Sequence, residues 1–288
     1  MTALAIPPTP TAFDPKNWGK IVDFKTIERA RIPVQGPETW RVFPQGTFIQ
    51  MIEQAFDRHG FITSEPVHYM APTRKNAKIK DQPENSRFLT MYGIAHPGLP
   101  DSSELNWESS WQNSYDMSMS AGGALGRRIQ VCSNGMIIGT VDAKANRKHT
   151  VGIDRDREGH FESIYSLVDG LVGGLLRRAT KEMERIEGYK QAECGDNDAR
   201  YVIMEAAKRD VIGDAATMRV LKHWEEPEHP EFNDRNVWSL ENAFTSNDRG
   251  QSVLTQASRF SKLYDIIEDR FSLTCSDSLQ TSEDASDF

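Results

Sequence analysis

Near Gly159 the apolar residues change their period, and that change constrains the fold more than any other feature. Before it, from about residue 61 to 142, apolar and polar residues alternate as in strands that bury one face. FITSEPVHYM, RFLTMYGIAH, LNWESSWQNSYDMSMSA and RRIQVCSNGMIIGTVDA read as strands separated by Pro, Gly, Asn and Asp. In the third, Tyr115, Met117 and Met119 alternate with Ser114, Asp116 and Ser118, so this strand is expected to run on to Ala121. After Gly159, Ile164, Leu167, Val168, Leu171, Val172, Leu175 and Leu176 form the stripe of an amphipathic helix through HFESIYSLVDGLVGGLLRRATKEMERIEGYKQ. Helices are also predicted at 47–60, with Thr47 as cap and Gly60 as stop, and at about 198–209, 213–224, 236–245 and 251–272. The fold class expected is α+β, a strand-rich antiparallel first half packed against a helical second half.

Seven prolines fall in residues 1–45, which therefore read as an extended arm. Residues 46–272 read as a single α+β domain, strand-rich over 61–158 and helical over 160–272, because no stretch between the halves has linker composition. Residues 273–288 are serine-rich and acidic and end in Phe288, the composition of a disordered tail. A chain of 288 residues, 38% hydrophobic and 26% charged, can bury a sizeable core. No stretch approaches the roughly 20 apolar residues of a membrane span. MTALAIPPTP lacks the basic and apolar regions of a signal peptide. Cys132, Cys194 and Cys275 are scattered and form no CxxC pair, which points to a reducing cytoplasm.

Catalytic signatures are absent: there is no Walker loop, Rossmann fingerprint or HExxH. GGALG, 122–126, runs into Arg127 and Arg128 rather than a helix, so it is a poor phosphate cradle, and Gly173-Gly174 lies in a helical stripe, where it permits close packing. Cys132 would need a base such as His149 or His160 to act as a nucleophile; beside the Asn-Gly at 134–135 it reads as a small residue next to a hairpin turn. His223 and His229 flank an acidic loop at a spacing that fits no zinc pattern. The expectation is no catalytic residue, no cofactor and no metal.

The basic residues are distributed less evenly. Arg74, Lys75, Lys78 and Lys80 occur without an acid among them, followed by Arg127 and Arg128, then Lys144, Arg147 and Lys148, then Arg155 and Arg157. Tyr69, Tyr92, Trp107, Trp111 and Tyr115 lie in the same half. Single-stranded nucleic acid needs this mixture, cations for phosphates and aromatic faces for bases. A net charge of −8 argues against a generally basic binder but leaves a local basic groove open. In this reading loops 73–80, 126–128 and 144–157 neutralise phosphates while Trp111 and Tyr115 stack on bases. Asp284, Asp287 and Phe288 make the tail a candidate hook for a partner protein, or a competitor for the protein's own basic groove.

NSYDMSMSAGGALGRRIQVCSNGMIIGTVDAKANRKHT, 113–150, resembles a family of phage and plasmid proteins of unknown function. The strings that carry the resemblance are Asn113, Ser114, Asp116 and Ser118; Gly126 and Arg128; Val131, Cys132 and Asn134; and Arg147, Lys148, His149 and Thr150. A second patch, 229–246, resembles the family's Trp-x-Leu-x-Asn-Ala-x-Thr string. Within that setting the chain resembles the single-stranded-DNA-binding cofactors with which some lytic phages bring RNA polymerase to middle promoters. The resemblance implies sequence-tolerant binding of melted DNA, contact with a phage polymerase or a replication protein, and the cytoplasm of an infected bacterium. Two other readings stand beside it: an interaction protein that binds a host factor and touches no DNA, and a metal-dependent nucleic-acid enzyme.

Overall fold

The computed structural model describes residues 5–10, 19–33, 42–74, 85–100, 102, 105–129, 144–147, 162–245 and 253–273. The fold is α+β. Its seven described strands are β1 (Lys20–Val22), β2 (Ile62–Thr63), β3 (Val67–Ala71), β4 (Arg87–Ala95), β5 (Leu105–Ser114), β6 (Ala121–Ile129) and β7 (Lys144–Arg147). They form an antiparallel sheet in the order β1-β3-β4-β5-β6-β7, with β2 paired to β4. The eight described helices are α1 (Phe24–Glu28), α2 (Gln45–Arg58), α3 (Glu162–Gly173), α4 (Leu175–Gln191), α5 (Asp196–Lys208), α6 (Asp214–Glu225), α7 (Val237–Thr245) and α8 (Val253–Phe271). The chain divides into two compact units, 1–179 with 248–260 and 180–247 with 261–288, where the sequence reading has one domain over 46–272.

In the first unit α2 covers one face of the sheet. Phe48, Ile49, Ile52, Ala55 and Phe56 make its buried stripe. Phe48 meets Phe88 and Trp111 edge-on, with ring centroids at 6.2 and 6.1 Å, and Phe56 meets Tyr92 and Trp111 at 5.5 and 6.4 Å. Trp111 stands across from Thr90 on β4 and Gly123 on β6. A Cβ at position 123 would lie 2.3 Å from the Trp111 ring, so only glycine leaves room for the indole. The other face carries a second cluster of Tyr69, Leu89, Met91, Met119 and Ala124.

Several expected boundaries shift, each for a physical reason. The third strand ends at Ser114, because the chain turns there: Met117 has φ +62° and is exposed while Tyr115 and Met119 are buried. GGALG lies inside β6, and residues 126–128 and 144–147 are strand rather than loop, with Gly123 yielding space to Trp111. The long helix is broken where Gly173 closes α3 and Leu175 opens α4. A Cβ on Gly173 would sit 2.8 Å from the His59 ring, so the expected close packing at the glycine pair is present. Thr47 does not cap α2; the helix starts at Gln45 after Pro44, and Gln45 Nε2 donates to the Ser86 carbonyl at 3.1 Å. Gly60, at φ +73°, does end that helix.

The second unit is helical. All nine residues of α7 are buried, Glu241 among them, and the Tyr264 hydroxyl donates to Glu241 Oε1 at 3.0 Å. Arg185 stacks over the Tyr264 ring at 4.5 Å and pairs with Glu182 at 2.5 Å and Glu268 at 3.2 Å. Arg235 lies over Trp224 at 4.7 Å, and the Trp224 indole donates to Asp196 at 3.0 Å. The buried carboxylates Glu182 and Glu241 are retained because each has a partner, whereas Arg235 and Asp196 are exposed.

The fit of Trp111 against Gly123 predicts that Gly123→Ala lowers stability by about 1–3 kcal/mol, the usual cost of overpacking a filled core. Guanidinium unfolding followed by circular dichroism should show a lower midpoint at an unchanged slope.

Candidate nucleic-acid interface

Strand register brings basic residues together that are far apart in sequence. Ala71 of β3 stands across from Arg87 at the start of β4, and Arg87 stands across from Ser114 at the end of β5. β6 begins at this same end, and its first residue, Ala121, pairs with Arg147, the last residue of β7. Arg74, three residues past the end of β3, leaves from there too. One end of the sheet therefore holds Arg74, Arg87 and Arg147. The chain between Arg74 and Ser86 carries Lys75, Lys78 and Lys80, and Lys148 follows Arg147 directly.

The β5–β6 turn lies between these residues and is held by its own polar side chains. Asn113 Nδ2 donates to the Phe43 carbonyl at 3.0 Å. Ser114 Oγ donates to the Met119 carbonyl and accepts its N–H, both at 3.0 Å. Asp116, 1% exposed, accepts the backbone N–H of Arg74 at 2.9 Å and of Ser118 at 3.0 Å. Burial works against its charge, but Ser118, the Arg74 N–H and the Arg87 guanidinium outweigh burial and hold the carboxyl below its usual range. Arg87 is half-buried and its Nε donates to the Pro72 carbonyl at 3.0 Å. Its pKa is lowered first by burial and further by the neighbouring Arg74 charge, with Asp116 acting the other way. Arg74 is exposed, and it is its backbone N–H rather than its guanidinium that meets Asp116, while its charge acts on Arg87.

The remaining candidates do not gather at this site. Trp111 is 0% exposed and Tyr115 is 2% exposed; both are core residues and have no free face for a base, and Tyr69 and Tyr92 are buried as well. Tyr115 instead accepts the Gln45 N–H at 2.9 Å through its hydroxyl, which burial pushes up to about 12. Arg127, 1% exposed, is buried in β6 and closed to solvent phosphates. It pairs with Trp107, and Arg128 pairs with Asn106, at the opposite end of the sheet. The eight residue steps from Asn106 to Ser114 on β5 separate the two ends by about 26 Å. Lys144 stands in register with Ala124, between the ends. Lys75, Lys78, Lys80, Lys148, Arg155, Arg157, Asp284, Asp287 and Phe288 lie outside the described residues, as do Cys132 and His149. His223 Nδ1 is 3.8 Å from Glu228, and no group of three potential metal ligands occurs among the described residues. No described helix is long and apolar enough to cross a membrane.

Sequence reading missed Arg87, which stands alone rather than in a basic run; only pairing with β3 and β5 places it beside Arg74. No family model, curated protein or solved structure matches the chain.

The lowered Asp116 pKa makes a signed prediction. A carboxyl with a depressed folded-state pKa adds stability above its unfolded pKa and loses it as pH falls through the folded value. Asp116→Asn should destabilise the protein by about 1–3 kcal/mol at pH 7. The gap between the two proteins should shrink as pH falls below the unfolded value of 3.8, in urea unfolding run across pH.

Proposed function

We propose that this chain binds single-stranded DNA with little sequence preference and serves phage transcription or replication. The observation that carries the reading is the shared sheet end of Arg74, Arg87 and Arg147, where the Arg74 charge acts on Arg87 and the nearby Asp116 carboxylate is buried and taken up by backbone N–H groups. Like charges held close with too few counter-charges are relieved by a bound anion, and a phosphate is the anion a guanidinium fits best. The phage part of the reading rests on the strings at 113–150 and 229–246 and on the acidic tail. Trp111 and Tyr115 take no part in it; they hold the core beneath the turn.

Fluorescence anisotropy with labelled single-stranded and duplex oligonucleotides of equal length tests the reading. Single strands should bind more tightly, and log K should fall linearly with log salt. Arg74→Ala and Arg147→Ala should each flatten that slope by about 0.7 and weaken all sequences alike. Binding indifferent to salt, or loss for one sequence alone, counts against phosphate contacts. No shift with either form of DNA removes the reading.

A further inference from the structure

The opposite end of the sheet carries a pocket of about 440 Å³, within the broad range of about 300–1,000 Å³ for small-molecule sites. One wall is the arm segment Ile6–Pro8, and the other runs from the end of β4 to the start of β5. The arm reaches this position because of Gly93, where a Cβ would lie 2.3 Å from the Pro8 carbonyl oxygen. Ile94, Leu99 and Leu105 give the pocket apolar sides. Trp107, 7% exposed, lines it too, and with its indole N–H donated to the Pro100 carbonyl at 3.1 Å it adds a small patch of apolar ring.

Polar groups share the lining with these apolar side chains. His96 accepts the Gly98 N–H at Nδ1, 2.9 Å away, so the proton of the neutral ring is on Nε2, a donor. Its ring is held against Phe61 with centroids 4.9 Å apart. Asn106 lines the same pocket, and its register partner on β6 is Arg128. Pro7, Pro8, Pro97 and Pro100 contribute no backbone N–H, so an extended peptide has no ladder to join here. A free phosphate would leave the apolar side chains uncovered. A flat heterocycle with a polar rim and an attached phosphate matches apolar side chains, polar groups among them and an arginine one strand away.

Resting on the single-strand reading, we infer that this pocket takes one unstacked nucleobase of the bound strand. Bases that leave the stack are held in this manner, between apolar or aromatic walls with hydrogen bonds to an edge.

The test compares a 16-nucleotide oligothymidylate with a strand of the same length and charge whose sugars lack bases. Wild-type protein should bind the abasic strand about tenfold more weakly, the scale of one lost stacking contact. Leu99→Trp, which fills the pocket, should bring the intact strand down to the abasic level and leave the abasic affinity unchanged. Photocrosslinking of a 5-iodouracil strand to wild-type protein, read by peptide mass spectrometry, should mark residues within 94–107. Equal affinity for both strands with the salt slope intact overturns the pocket and spares the phosphate reading. Full base preference in a folded Leu99→Trp protein, or crosslinks confined elsewhere, overturns the pocket as well. No binding of either strand removes both readings.

Discussion

The fit of Trp111 into the space left by Gly123 is the contact on which the first unit depends. The indole lies under α2, touches Phe48 and Phe56 edge-on, and sets how closely that helix approaches the sheet. The start of α2 is then pinned to the end of β5 by polar groups. Gln45 donates its N–H to Tyr115 and its side-chain amide to Ser86, while Asn113 holds the Phe43 carbonyl. The β5–β6 turn grows directly from this junction, so its shape is an extension of core packing. Aromatic residues that look suited to stacking on bases serve the fold instead, and the charges stand at its rim.

Those charges illustrate how an acidic protein keeps a local positive site. The whole chain carries −8, yet the Arg74 and Arg87 charges lie close enough to act on each other, with Asp116 offsetting Arg87. Because Asp116 is buried and occupied by two backbone N–H groups, it orders the turn more than it neutralises the arginines. Contact charge, rather than net charge, sets how an anion experiences such a surface.

Much of the fold was legible because periodicity is a local signal. Helices α5 to α8 and the starts of β4 and β5 fall close to where the apolar spacing predicts them. The end of β5 was not legible, since Tyr115 and Met119 continue the alternation although they are buried by a turn that throws Met117 outward. GGALG offers no local reason for its glycines, and the reason Gly123 is glycine lies across the sheet in Trp111. Candidate site residues were legible as residue types and illegible as neighbours. Arg74 and Arg147 are 73 positions apart (147 less 74), and only strand pairing places them at one end. The same pairing sends Arg127 and Arg128 to the other end, which a tally of basic runs had joined to the first.

β4 has a further consequence of a mechanical kind. It begins at Arg87 and leads through Ala95 to His96, so one extended segment spans from the basic end to the pocket. On both sides it is paired in antiparallel register, with β3 and with β5. Tension applied between its two ends is carried along its own extended backbone, and the ladders on either side pass part of that load to β3 and β5 in shear. A ligand gripped at both ends would therefore pull on the stiffest direction of the sheet.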